Sequence, residues 1–274
     1  MGLPFWSYRG PPDPPTPTDT VDGLVPDLLR TPEARGQYLG VGTNLGGVTT
    51  VILPGTGSDD DYIIRAFSRP LRDAGAQILA PRPQPDHLLS GYLTALDNAA
   101  GRGPIAVGGV SIGAAVAAAW ALQHPDRAVA VLAALPAWTG APGDAAAAIA
   151  ARHSAQQLRH DGLAATTNQM RASSPPWLAD ELTRSWQRQW PHLPDAMEEA
   201  AAYVAPTRAQ LQQLAVPMGV AAAVDDPVHP VEIGMEWAAA APHAALRTVT
   251  LDQIGADPAA LGAACLAALD AAEA

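Results

Sequence analysis

The chain has 274 residues, of which 48% are hydrophobic and 16% are charged, and its formal net charge is −11. This length suits one large α/β domain or a domain with an inserted subdomain, and the acidic balance argues against a nucleic-acid or anionic-membrane partner. The one cysteine, Cys265, excludes an intrachain disulfide. No run is apolar enough to span a bilayer and the N-terminus lacks a signal-peptide pattern, so we expect a cytoplasmic protein.

The N-terminal residues 1–30 are rich in proline, which predicts an extended, loosely held arm. Such an arm could also serve as a ligand for an SH3-type domain. Residues 37–53 follow it and have the pattern of a hairpin with "TNLGG" as its turn. The arm and the first half of this hairpin therefore lead into the first strand of a sheet.

Short apolar runs and helical patterns then alternate along the chain. The runs that favour strands are 48–55, 76–81, 104–111, 128–136, 216–227 and 246–251. The helical patterns are 58–74, 86–100, 112–123 and the segment from Pro258 to the C-terminus. Nearly continuous apolar strands are typical of a sheet buried on both faces, so we predict a doubly wound, mostly parallel α/β sheet.

One segment interrupts this alternation. Residues 139–215 contain helical patterns but no convincing strand, which predicts a helical subdomain inserted into a core formed by residues 31–138 and 216–274. Four of the seven tryptophans lie in or beside this insertion: Trp138, Trp177, Trp186 and Trp190. They are candidates for lining an apolar binding site, although packing within the insertion explains them equally well.

The strongest local motif is "GGVSIG", in which Gly109, Ser111 and Gly113 form the pattern G-x-S-x-G. In a nucleophile elbow, the serine sits on a strained turn between a strand and a helix, and the glycines avoid a clash between the positions two before and two after it. The apolar run before the motif and the small residues after it fit this geometry. The alternative is an ordinary strand-to-helix turn.

Two other segments could complete a hydrolytic site. A serine that attacks a carbonyl needs donors for the oxyanion. The backbone N–H groups of Ile112 and of Thr56 in "LPGTGS" are the candidates, with Gly55 as the runner-up to Thr56. In "AVDDPVHP", Asp226 is preferred to Asp225 as the acid that would orient an imidazole, and either could instead be a capping aspartate.

With these motifs the chain resembles the α/β-hydrolase fold family, of the kind with a helical lid after the sixth strand. The resemblance covers nearly everything after the first few dozen residues. It departs from the family in the oxyanion loop, where Pro54 replaces a frequent histidine. The more serious departure concerns the catalytic histidine, because the family places it after the last strand and this chain has Ala256 there.

The resemblance therefore implies a serine hydrolase for a carboxylic ester or thioester with an apolar acyl group, with no cofactor and no metal. Ser111 would be the nucleophile and Asp226 the acid, while Ala256 predicts that the base is missing and that activity is strongly impaired, whether by engineering or by nature. Two alternatives stay open: a natural pseudoenzyme that binds an acyl ligand, and an active hydrolase whose base is His229 or His87. A haloperoxidase-like or C–C hydrolase activity on the same fold is a third.

Overall fold

The structure is a computed structural model that describes residues 45–273. The predicted arm at 1–30 and the first strand of the predicted hairpin lie outside these residues. The described strands form one sheet in the order β2-β1-β3-β4-β5-β6, and every pairing is parallel. They are β1 (Thr49–Leu53), β2 (Gln77–Leu79), β3 (Ile105–Val110), β4 (Ala128–Ala134), β5 (Met218–Ala223) and β6 (Ala244–Val249).

Helices connect the strands, as a parallel sheet requires. Those of the core are α1 (Asp60–Asp73), α2 (Leu88–Ala100), α3 (Ile112–Gln123), α8 (Val231–Ala240), α9 (Leu251–Ala256) and α10 (Ala259–Ala272). Four more lie between β4 and β5: α4 (Ala146–Ser173), α5 (Pro176–Gln189), α6 (Leu193–Ala201) and α7 (Arg208–Leu211). None of the helices within residues 45–273 combines the length and the apolarity that crossing a membrane would require.

The sheet is buried on both faces because successive side chains of a strand point to opposite sides. In β1, Val51 and Leu53 join the cluster that contains Tyr92 of α2. Ile52, between them, joins the cluster that contains Phe67 of α1. Both clusters consist of buried residues, which confirms the doubly wound α/β sheet predicted from the continuous apolar runs.

The helices α4–α7 all lie within the predicted insertion, residues 139–215. The long helix α4 turns back on itself at Gly162, whose φ of +79° lies in the left-handed region that favours glycine. Gln157 and Gln169, on the two sides of this turn, share a hydrogen bond of 2.6 Å. Residues of α4, α5 and α6 line the same cavity as Ser111, so this insertion covers the carboxyl end of the sheet at β3.

One predicted element differs near the C-terminus. The last strand ends at Val249, and the residues expected to form a loop before the final helix form the short helix α9. Thr250 and Gln253 explain it, because they form a capping box in which each side chain hydrogen-bonds to the backbone of the other. Asp257 then accepts a hydrogen bond of 3.0 Å from the Ala259 N–H at the start of α10.

Candidate active site

Ser111 lies between the end of β3 and the start of α3, and its backbone is strained. Its φ of 55° and ψ of −114° fall outside the regions that a residue with a side chain normally occupies. A strained residue persists only where its surroundings determine its conformation, and such residues cluster at functional sites. The strand-to-helix turn of the G-x-S-x-G motif is therefore present at Ser111.

The two glycines of the motif are required by close backbone contacts. A β-carbon on Gly109 would lie 2.4 Å from the carbonyl carbon of Gly113, and one on Gly113 would lie 2.3 Å from the Leu53 carbonyl oxygen. No side chain fits at such distances, and the neighbouring atoms belong to the backbone of β1 and α3. The glycines allow α3 to start directly against the sheet beside Ser111.

His229 connects Ser111 to Asp226. Its Nε2 lies 2.9 Å from Ser111 Oγ, and its Nδ1 lies 2.9 Å from Asp226 Oδ2. An ionised carboxylate can only accept hydrogen bonds, so Nδ1–H donates to Asp226 and leaves Nε2 to accept from the serine hydroxyl. A neutral imidazole in this arrangement can take the proton of an attacking hydroxyl group.

The Asp226 carboxylate is buried, and both of its oxygens accept hydrogen bonds. Its Oδ1 accepts hydrogen bonds from the backbone N–H groups of Val228 and His229, at 2.8 Å and 3.1 Å. Burial by itself would raise the pKa of this carboxyl group, but the neighbouring His229 and the two N–H donors outweigh burial and lower its pKa below the ordinary value. Asp226 is therefore held ionised, as the partner of an imidazole needs to be.

The prediction that Ser111 has no proton acceptor within reach is wrong, because His229 Nε2 occupies that place. Ala256 instead ends α9 and is exposed. The preceding Gly255 packs against the Trp177 ring so closely that a β-carbon there would lie 2.3 Å from Trp177 Cδ1. The segment after the last strand is thus folded into a helix against α5, and the imidazole comes from the loop after β5.

The other histidine considered as a base, His87, lies outside the site. Its side chain is 67% exposed, and its Nε2 is 3.5 Å from Asp86. The sequence offers His229 as an alternative base, but the family's order of catalytic residues favours a missing base over it. The signal that could have raised its rank is the Asp-x-x-His spacing, which lets one loop supply both an acid and an imidazole.

The predicted oxyanion donors flank Ser111. Ile112 is the first residue of α3, so its N–H is one of the amide groups that no carbonyl of the helix can accept. Thr56 and Gly55 line the same cavity as Ser111, and a β-carbon on Gly55 would lie 3.6 Å from Ser111 Cβ. The segment after β1 therefore runs directly beside the serine.

A cavity of about 160 Å³ opens at Ser111. Trp138, Trp177 and Trp186 line it, together with Met197 of α6. Trp190 was predicted to line the site with the other tryptophans, but it is absent from the lining and is 40% exposed at the end of α5. Within residues 45–273, no group of three or more His, Cys, Asp or Glu side chains is arranged to hold a metal ion.

The sequence matches no known family model and no curated protein. The fold, in contrast, matches many solved structures. A structure from a study of carboxylesterases of Nitrososphaera gargenis aligns with a TM-score of 0.61 at 16% sequence identity, and the alignment covers 76% of this chain and 84% of that one. A thermophilic esterase from Thermogutta terrifontis aligns with a TM-score of 0.55 at 20% sequence identity, and the alignment covers 75% of this chain and 81% of the esterase. The enol-lactonase from Burkholderia xenovorans LB400 aligns with a TM-score of 0.57 at 18% sequence identity, and the alignment covers 76% of this chain and 84% of the lactonase.

This chain has the α/β-hydrolase fold. The resemblance stated from the sequence motifs is thereby confirmed at the level of the fold. At these identities the likeness carries no activity or substrate with it. Within the α/β-hydrolase fold, Ser111 and His229 lie at the carboxyl ends of β3 and β5, where open parallel sheets place their sites.

Proposed function

We propose that the chain is an active serine hydrolase that cleaves a carboxylic ester or thioester through an acyl-enzyme at Ser111. The observation that carries this proposal is the 2.9 Å contact between His229 Nε2 and Ser111 Oγ, backed by the 2.9 Å contact between His229 and Asp226. The esterases and the lactonase that share the fold support an acyl-transfer reaction. The proposal replaces the expectation of a disabled enzyme.

In the first half of the reaction, Ser111 Oγ attacks the carbonyl carbon while His229 Nε2 takes the hydroxyl proton. Asp226 holds Nδ1–H and stabilises the imidazolium that forms. The negative charge that develops on the carbonyl oxygen is stabilised by the N–H groups of Ile112 and Thr56. The tetrahedral intermediate then collapses, and the leaving alcohol or thiol receives the proton from His229 Nε2.

In the second half, a water molecule attacks the acyl-enzyme and gives its proton to His229 Nε2. Collapse of the second intermediate releases the acid, and Ser111 Oγ regains its proton from the imidazolium. The lining supplied by Trp138, Trp177, Trp186 and Met197 suits an apolar acyl group. No cofactor takes part in these steps.

The test compares hydrolysis of p-nitrophenyl acetate and butyrate, and of an acyl thioester, by the unchanged chain and three variants. We expect His229→Ala to lower kcat by roughly 10⁴- to 10⁶-fold, because the serine loses its base. His87→Ala is the matched control and should leave the rate unchanged, since that side chain is exposed and does not line the cavity at Ser111. Ala256→His should not raise the rate of hydrolysis, because residue 256 faces solvent.

Three results would contradict the proposal. Loss of activity in His87→Ala, or its retention in His229→Ala, would mean that the base is wrongly assigned. A large gain in Ala256→His would return the chain to the class of disabled enzymes. Binding of esters by the unchanged chain without hydrolysis, and without labelling of Ser111 by a fluorophosphonate, would favour a non-catalytic acyl-binding protein.

A further inference from the structure

The segment from Pro54 to Asp59, which we name the oxyanion segment, is anchored at both ends. At its start, the Tyr92 hydroxyl of α2 donates a hydrogen bond of 3.0 Å to the Pro54 carbonyl. Near its end, Gln189 Nε2 of α5 donates one of 2.9 Å to the Ser58 carbonyl. Thr56 lies between these two anchors, so one of them comes from the core and the other from the inserted helices.

Helix α5 also packs directly onto the middle of the oxyanion segment. Gly57 has a φ of +72°, and a β-carbon there would lie 2.8 Å from Trp186 Nε1. The contact between the Trp186 ring and the backbone of Gly57 leaves no room for the segment to rise toward α5. The backbone next to Thr56 is therefore confined by a helix that lies outside the α/β core.

The strongest link between α5 and the segment is made by Asp59, whose side chain is only 4% exposed. Arg184 Nη1 donates to Asp59 Oδ2 at 2.7 Å and Arg184 Nη2 donates to Oδ1 at 3.1 Å, which is a bidentate pair. Arg188 adds a contact of 3.3 Å. The same carboxylate caps α1 by accepting from the Tyr62 N–H, so α5 is tied to the point where the segment enters α1.

Although Arg184 lines the cavity, its charge is already matched by protein carboxylates. Besides Asp59, it donates to Glu181 Oε2 at 2.7 Å, and Glu181 also accepts from Arg65 of α1. Asp61 Oδ2 also lies 3.2 Å from Arg184 Nη2, and a guanidinium engaged by three carboxylates has little capacity left for an anionic substrate. Its arrangement fits a structural link between α5 and α1.

We propose that Arg184 and Gln189 are positioning residues: from the inserted helices, they hold the oxyanion segment so that the Thr56 N–H can reach the developing oxyanion at Ser111. This inference rests on the proposed function. An oxyanion donor acts through its placement, since an error of about 1 Å can lower a rate by roughly 100-fold. The insertion would thus serve the chemical step as well as cover the cavity.

The test measures kcat and KM for p-nitrophenyl butyrate in Arg184→Met and Gln189→Met, which keep the apolar length of each side chain. Arg171→Met is the matched control, because Arg171 belongs to the same insertion and its hydrogen-bond partners among residues 45–273 are Asp180 and Thr183, both within that insertion. We expect kcat to fall about 10- to 100-fold in both test variants, with KM changed less than about 3-fold, and Arg184→Lys to recover part of the loss. The control should match the unchanged chain.

Equal loss of kcat in the Arg171→Met control, or kcat unchanged in both test variants, would overturn the positioning role. So would a loss that appears in KM alone, which would assign these residues to substrate binding. If Arg184→Met does not fold, Gln189→Met decides alone, because it removes only neutral hydrogen bonds, those to the Ser58 carbonyl and to Ser185 Oγ. If the unchanged chain hydrolyses no ester, the proposed function fails first and the positioning role with it.

Discussion

At the scale of single residues, the acid and the imidazole come from one short loop. Asp226 binds the backbone N–H groups of Val228 and His229 and also the ring of His229. These hydrogen bonds fix the geometry of the pair locally, so only Ser111 has to be brought to it by the fold. The local arrangement also lowers the pKa of Asp226, which links the site to the stability of the protein.

This link gives a pH prediction for Asp226→Asn. Because the folded-state pKa of Asp226 lies below its unfolded value, the stability that the carboxylate contributes is present above about pH 4 and is lost as the pH falls through the folded-state pKa. We expect the unchanged chain to unfold less readily in urea than the Asn variant at pH 6. The difference in the free energy of unfolding should shrink below about pH 4, and a difference that stays constant down to pH 2 would contradict the prediction.

At the scale of elements, the elbow depends on how closely α3 approaches the sheet. The helix begins with Ile112 and Gly113 and continues with alanines that are buried except for Ala119. Small side chains allow the helix axis to lie near the strands, and Gly113 makes the closest approach, to Leu53 of β1. The strain at Ser111 is therefore supported by the packing of a whole helix.

We expect Gly113→Ala to destabilise the fold by about 1–3 kcal/mol or more, because the new β-carbon would meet the Leu53 carbonyl oxygen at 2.3 Å and the strand backbone cannot move away. Gly101→Ala is the control: its φ is −63° and the nearest atoms to a new β-carbon lie at 3.5 Å. Urea unfolding monitored by circular dichroism measures both. Equal stability of the two variants would show that the elbow tolerates a side chain at residue 113.

At the scale of the whole molecule, the helices between β4 and β5 cover the carboxyl end of the sheet and leave a cavity of about 160 Å³. A cavity of about 150 Å³ with an apolar lining holds one benzene molecule. If the chain is the proposed hydrolase, we therefore expect the space beside Ser111 to accept a short acyl group. Met197 of α6 is buried and forms part of the wall that limits it.

A series of p-nitrophenyl esters tests this limit. We expect kcat/KM to be highest for acetate to hexanoate and to fall at least about 10-fold for dodecanoate, whose chain exceeds a cavity of this size. Met197→Ala should extend the accepted length, because it removes part of the wall. A rate that rises steadily up to dodecanoate would contradict the prediction and indicate an open groove.

The local sequence pattern predicts the six strands, the core helices α1, α2, α3 and α10, and the position of Ser111, but it predicts neither α8 nor α9. Continuous apolar runs and helical spacing are local properties, and G-x-S-x-G carries the steric requirement of its turn in its own residues. Asp226 was also predicted, from its place after an apolar run. The sequence order of the family, however, pointed to Ala256 as the position of the base and so to a missing one.

The partner of Ser111 depends on the fold, because proximity across 118 residues is a property of the folded chain. Residues 251–256, after the last strand, fold into a helix that starts with the capping box at Thr250 and packs against Trp177. The loop after β5 instead brings His229 to the serine. The link between Arg184 and Asp59 joins residues 125 apart and had no local signal. Hydrogen-bond geometry between distant residues depends on how the strands and the inserted helices pack, and the sequence of one segment alone does not determine that packing.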